Sequence, residues 1–354
     1  MLYLPRLLSP PAPKNNQVFR SINRRFIYSV LLLLFPVSIH ATDKGIGIYF
    51  DQDLLTPFLN EDRDYTMGVA VELFEDRDQS VFDDLSCKIS RYLYLKCLDT
   101  GARSLIMGSI NYTPDNIGTY EAIQNDRPYA SVFYMGYKTV NADNDRAVGT
   151  ELQAGIIGLG LGSQVQEMIH ELWRGTTGKN RPVDPNGWGH QISDGGEPTL
   201  RFRFTQQDIL ERDTNKWDLA WSRSATIGYQ TNVSAAITAR YGDIHSGFWT
   251  IPFDPVNRGN FLPSTHGEEW YVWGAYRMRI VGYDALLQGQ FRNSDVTFNS
   301  SEIRRLVHEG AIGITKAFKS FQLSFAMNAK SSELKDGGAD RNHYWGSFYV
   351  TLRY

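Results

Sequence analysis

The sequence predicts an all-β protein, an antiparallel transmembrane β-barrel of about 12 strands with long external loops and mostly short periplasmic turns. Three observations predict it. Apolar and polar residues alternate along most of the chain, with little helical periodicity. The final residues continue that alternation, with Phe348, Val350, Leu352 and Tyr354 on one face, and end on an aromatic residue. Such a last strand resembles the signal read by the barrel-assembly machinery of bacterial outer membranes. Finally, a mean hydropathy of −0.35 argues against a bundle of apolar membrane helices. It leaves a barrel open, because alternating strands hide their apolar face from an average.

The chain opens on a targeting segment. Residues 1–41 hold Arg6, Lys14, Arg20, Arg24 and Arg25 and no acidic residue. An apolar run of 14 residues, Phe26 to Ile39, follows and ends at His40-Ala41. A positive start, a short apolar centre and a small residue at the break define a cleaved signal peptide over 1–41, leaving 42–354 as the barrel domain. The run is short for a membrane-spanning helix, which takes about 20 residues. Export removes five of the 36 Lys and Arg against 39 Asp and Glu, so the mature chain is acidic and has no basic surplus for nucleic acid. Cys87 and Cys97, its only cysteines, either pair in the oxidising periplasm or stay as buried thiols.

Strands are expected at 45–53, 64–75, 104–112, 128–140, 146–158, 198–211, 217–243, 267–281, 283–293, 305–316, 319–330 and 343–354. The 217–243 stretch is long enough for two, but a closed barrel with both ends in the periplasm needs an even count, so it is kept as one. The long connections 54–63, 113–127, 159–197, 244–266, 294–304 and 331–342 then fall on the external side. The 76–103 connection is too long for a periplasmic turn and suggests an extra hairpin or short helix. From Tyr65, alternation puts Met67, Val69, Val71 and Leu73 on one face and Thr66, Gly68, Ala70 and Glu72 on the lumen-facing other.

Polar groups collect at the external rim. The first connection carries Asp51-Gln52-Asp53 and Asp62-Arg63-Asp64-Tyr65-Thr66; the second carries Asp115, Asn116, Asp126 and Arg127; the third carries Gln166, Glu167, His170 and Glu171 in a stretch, 163–174, that suits a short helix. Carboxylates, a hydroxyl and a histidine at one barrel end suit a hard cation and a water-activating base. Taken singly, the Asp-Arg pairs read as solvated ion pairs and YTPD as a turn. Other chemistries lack their motifs. There is no G-x-S-x-G elbow, C-x-x-C or P-loop. Arg174 breaks the zinc pattern begun by His170-Glu171, and the run of Gly155, Gly158, Gly160 and Gly162 lacks dinucleotide spacing.

Several segments carry a resemblance: EDRDYTMG (61–68), YTPDN (112–116), NDRPYAS (125–131), His170 after its Gln-rich stretch, and GWGHQI (187–192). In that order and spacing they resemble the lipid A 3′-O-deacylase family, calcium-dependent twelve-stranded barrels of the Gram-negative outer membrane. The resemblance spans most of the mature chain. It implies removal of the 3′-linked acyloxyacyl chain of lipid A by ester hydrolysis, with lipopolysaccharide as substrate and outer-membrane lipids as surroundings. It also assigns roles. The family's Asn-Asp pair falls on Gln52 and Asp53, its Thr or Ser on Thr66, and its histidine on His170. His170 is then a general base on water, calcium a Lewis acid held in part by Asp53, and Thr66 and Gln52 orienting groups. Two positions depart from the pattern: Gln52 replaces Asn, and Thr176 stands where a Glu is expected, leaving Glu171 as the nearest substitute metal ligand. Alternatives are a non-catalytic barrel with a binding or structural role, and a phospholipase, for which Ser163 lacks an orienting partner for His170.

Overall fold

The computed structural model describes residues 44–56, 63–76, 88, 91–92, 100–167, 170, 184–253 and 267–353. Within them the chain forms β1 (Lys44–Gln52), β2 (Asp64–Asp76), β3 (Thr100–Thr113), β4 (Ala130–Ala142), β5 (Arg146–Ile157), β6 (Glu197–Asp213), β7 (Trp217–Gly228), β8 (Gln230–Asp243), β9 (Glu269–Asp284), β10 (Leu306–Ala317), β11 (Phe321–Lys330) and β12 (His343–Arg353). Each strand pairs antiparallel with its neighbours in sequence, and β1 pairs with β12 from Gly45↔Arg353 to Gln52↔Gly346, which closes the barrel. The expected twelve-stranded antiparallel barrel is therefore present. The segment read as a signal peptide and both cysteines lie outside the described residues, as does most of the 76–103 connection.

Two strand assignments are corrected. The 217–243 stretch is two strands, β7 and β8, joined at Tyr229. Gly228 makes this turn at φ 130°, where an added Cβ would sit 2.1 Å from the Leu200 carbonyl oxygen, so alternation continued across a turn only a glycine permits. Conversely, 283–293 is not a strand. β9 runs on to Asp284, whose side chain accepts from the Leu286 N–H and starts a helical turn, Ala285–Gln288. The two errors cancel in the strand count but not in topology: the connection after Asp243 moves from the external to the periplasmic end.

That relocation brings apolar side chains into the periplasmic end of the barrel. At the periplasmic end Ile244, Ile251 and Phe253 fold inward and pack against Tyr271, Trp273, Ala236, Ala311 and Ala326 of the inner wall. At the external end Ala285 and Leu286 pack with Tyr65, Tyr112, Ala130, Val132 and Ile157. Between these caps the inner wall carries ion pairs: Lys138 to Glu72 at 3.0 Å, Arg203 to Glu151 at 2.5 Å, and Arg277 and Arg279 both to Glu309. The outer face is apolar, with Leu73, Leu105, Met107, Met135, Leu200, Met278, Ile280 and Ile312 exposed, as strands facing lipid require.

Candidate active site on the outer wall

A β-bulge sets the site. β2 and β3 pair Tyr65↔Tyr112 and then Met67↔Asn111, so Thr66 is the extra residue. Just before it, Asp64 takes φ 64°, a left-handed conformation in which its carboxylate reaches Arg341 at 2.7 Å. The bulge changes which face each residue meets. Tyr65 turns into the lumen, where its hydroxyl donates to Asp51 at 2.7 Å. Thr66 instead shares a 2.6 Å hydrogen bond with the hydroxyl of Thr113, which by alternation with the inward Tyr112 belongs to the outer face. The expectation that Thr66 faces the lumen is therefore corrected: strict period-two counting fails across the extra residue.

Register then draws a row along the outer wall. Gln52 pairs with Met67, Met67 with Asn111, and Asn111 with Ser131. All four are on the outward set yet are only 1–4% exposed, whereas outward Leu73, Leu105 and Met135 further down the same strands are 48–60% exposed. Something covers the row. Residues 161–167 are helical, and buried Gly162, Gln166 and His170 recur every fourth position, one stripe of a helix. Gly162 lies so close that an added Cβ would be 2.5 Å from Asn111 Oδ1 and 3.0 Å from Ser131 Cβ. The GWGHQI segment locks this cover. Trp188 donates to Gln166 Oε1 at 2.9 Å and packs tilted against Tyr129 at 4.9 Å between ring centroids, while Ser131 donates to Gln191 Oε1 at 3.0 Å.

The predicted residues meet here in part. Gln52 and Asp53 end β1 side by side, with Gln52 Nε2 donating to Asp53 Oδ1 at 3.0 Å and the Arg63 N–H donating to Asp53 Oδ2 at 3.0 Å. Thr66 adjoins Met67, the partner of Gln52, and His170 is buried on the covering stripe. Glu171 lies outside the described residues, and Glu167 is exposed. Ser163 spends its hydroxyl on the Gly160 carbonyl at 2.8 Å and so is not aimed at His170. Sequence reasoning placed Gln166 at the rim but missed Asn111, Ser131, Gly162, Trp188 and Gln191 as builders of the site. Two of them fall within YTPDN-flanking strand sequence and NDRPYAS, and two within GWGHQI, so the signal lay in the segments but not in any single residue type.

The donor set suits a hard cation. Gln52 Oε1 is buried with no hydrogen-bond donor, because Asp53 fixes the amide with its nitrogen turned away from that side. Beside it stands the Asp53 carboxylate. Among the described residues no three His, Cys, Asp or Glu converge, so an ion here would draw on amide, hydroxyl, backbone and water oxygens, ligands that calcium accepts and zinc does not favour.

The rim outside this site is tied together by buried charges. Arg341 bridges Asp64 at 2.7 Å and Asp126 at 2.8 Å, and Arg127 meets Glu333 at 2.5 Å. Asp64, Asp126 and Arg127 are buried, so the solvated-pair reading is corrected for them, whereas the Arg63–Asp115 pair at 2.8 Å is exposed as expected.

A closed twelve-stranded barrel with an apolar outer belt and a covered polar row at its external rim defines an outer-membrane β-barrel. Residues 26–354 match the family described as Outer membrane protein LpxR, and the chain belongs to it, an outer-membrane barrel of the lipid A deacylase family. Among solved structures, LpxR from Salmonella typhimurium has the same fold, with a TM-score of 0.69 at 18% identity over 88% of this chain and 100% of that one. The β domain of the Bordetella autotransporter BrkA, with a TM-score of 0.41 at 10% identity over 89% of this chain and 99% of that one, is more distant. No curated protein matches the chain.

Proposed function

We propose that this protein hydrolyses the ester that links the 3′ acyloxyacyl chain to lipid A in the outer leaflet. The observation that carries this reading is the placement of polar Gln52, Asn111 and Ser131, with Met67 between them, in one row on the outer wall directly above an apolar belt. A lipid ester reaches such a site sideways from the membrane, without entering the lumen. Family membership supports the same substrate class.

In this reading His170 takes a proton from water as the oxygen attacks the ester carbonyl carbon, and returns it to the 3′ oxygen as the carbon–oxygen bond breaks. The products are a fatty acid and a lipid A with a free 3′ hydroxyl. Burial of His170 under the cover keeps bulk water from competing with the one positioned molecule. Gln52 and Asp53 are the residues that would hold calcium, with Thr66 orienting the carbonyl or the water. Calcium, when bound, supplies positive charge to the carbonyl oxygen as charge builds there.

Mass spectrometry of lipid A from cells expressing this protein tests the reading, with His170→Ala as control. Loss of the 3′ acyloxyacyl mass with the wild type and not with the variant is expected. Unchanged lipid A, with folded barrel in the outer membrane and calcium supplied, would favour the non-catalytic barrel that Gln52 and Thr176 suggest.

A further inference from the structure

We propose that Asn111 binds the acyl chain of the substrate, donating a hydrogen bond to an ester oxygen that the chain carries away from the scissile carbonyl, and so selects acyloxyacyl over plain acyl esters. This rests on the lipid A esterase reading above. Asn111 is 1% exposed, and its Nδ2 has no acceptor. Its other end is occupied, because Oδ1 accepts the Ser109 hydroxyl at 3.3 Å and lies under Gly162. Native proteins rarely leave a buried amide N–H unpaired, so an orphan donor inside a covered site points to a ligand that brings an acceptor.

Position says which acceptor. Asn111 stands two strands from Gln52 in one register, through Gln52↔Met67 and Met67↔Asn111. Neighbouring strands are about 4.8 Å apart, so the two backbones are separated by about 10 Å along the wall. With the reacting ester at Gln52, Asp53 and Thr66, the Asn111 amide meets the substrate a few bonds further along. An acyloxyacyl chain carries its second ester there, and ester oxygens only accept hydrogen bonds. A plain acyl chain offers methylenes at the same place and leaves the donor unpaired, the arrangement by which a polar site rejects an analogue lacking its partner atom.

The test uses the purified full-length barrel in detergent with two synthetic glucosamine 3-esters, one acyloxyacylated and one plainly acylated. The wild type is expected to favour the branched ester by about tenfold or more in kcat/KM, chiefly through KM. Asn111→Leu and the isosteric Asn111→Asp should both lose that preference, with KM for the branched ester rising, and Asn111→Gln should restore part of it. Heat-modifiable gel migration reports folding, and the aspartate variant carries the test if the leucine one fails to fold. Retention of the preference in the folded variants would overturn the assignment and mean that the amide merely holds water. A fall in kcat on both esters equally would also overturn it, in favour of a contact with the scissile carbonyl. A wild type inactive on both esters would overturn the esterase reading, and this assignment with it.

Discussion

The indole N–H of Trp188 and Oε1 of Gln166 are 2.9 Å apart, and through this bond the GWGHQI turn holds the helix that covers the outer-wall row. Both residues are buried, and losing a hydrogen bond of this kind costs about 0.5–1.5 kcal/mol. Trp188→Phe keeps the aromatic packing on Tyr129 and removes only the N–H. The proposed ester hydrolysis should fall by up to about tenfold, in line with that loss, while the barrel keeps its heat-modifiable migration. A variant with wild-type turnover would show that the cover does not depend on this bond.

Gly162 and Gly160 offer a paired test of the cover. A Cβ at Gly162 would meet Asn111 Oδ1 at 2.5 Å, Trp188 at 2.9 Å and Ser131 Cβ at 3.0 Å, whereas one at Gly160 meets nothing within 4 Å. Gly162→Ala should therefore lift the helix off the wall and reduce activity, and Gly160→Ala should leave it intact. Equal effects of the two substitutions on turnover would count against close contact between helix and wall.

The sequence already carried the architecture, because lipid on one side of each strand and a polar interior on the other impose a period of two. It carried less of the site, because sites break periods. Thr66 sits on a bulge, and the hydrogen bond to Thr113 that reveals its face joins residues 47 apart. Asp64 pairs with Arg341, which is 277 residues away, so nothing local distinguishes its buried bridge from a solvated one. The splitting of 217–243 was missed for a related reason: alternation reads through Gly228, and only its positive φ marks the turn. By contrast, Gln52, Asp53 and His170 were assigned through the family resemblance, which needs no contact to be read between distant residues.

A histidine clasp joins three of the outer loops. His190 Nδ1 lies 2.5 Å from Asp295 Oδ2 and Nε2 lies 2.9 Å from the Tyr120 carbonyl, so both ring nitrogens face acceptors. The hydrogen bond to Asp295 is the main cause that raises its pKa above the ordinary value. A raised folded-state pKa means that the clasp contributes fully below about pH 6.5 and loses its contribution as pH climbs through the raised value. Hydrogen exchange over 186–192 should thus show more protection at pH 6 than at pH 8 after correction for intrinsic rates. Asp295→Asn should flatten the difference, and greater protection at the higher pH would contradict the assignment.

Arg240 fastens the periplasmic plug. Its guanidinium grips Asp218, with Nη2 to Oδ2 at 2.5 Å, and donates to Ser246 Oγ at 3.1 Å and to Thr250 Oγ1 at 3.3 Å in the segment that folds into the lumen. Arg240→Met removes the bridge and strands the largely buried Asp218 carboxylate, which costs about 3–5 kcal/mol. The double variant Arg240→Met/Asp218→Asn removes the stranded charge and should recover much of that loss, although the plug still lacks its fastening. Thermal unfolding in detergent separates the two. In planar bilayers both variants should stay closed to ions, because Leu286 caps the external end independently of Arg240. Steady conductance from the double variant would place the barrier to ions at the periplasmic plug alone.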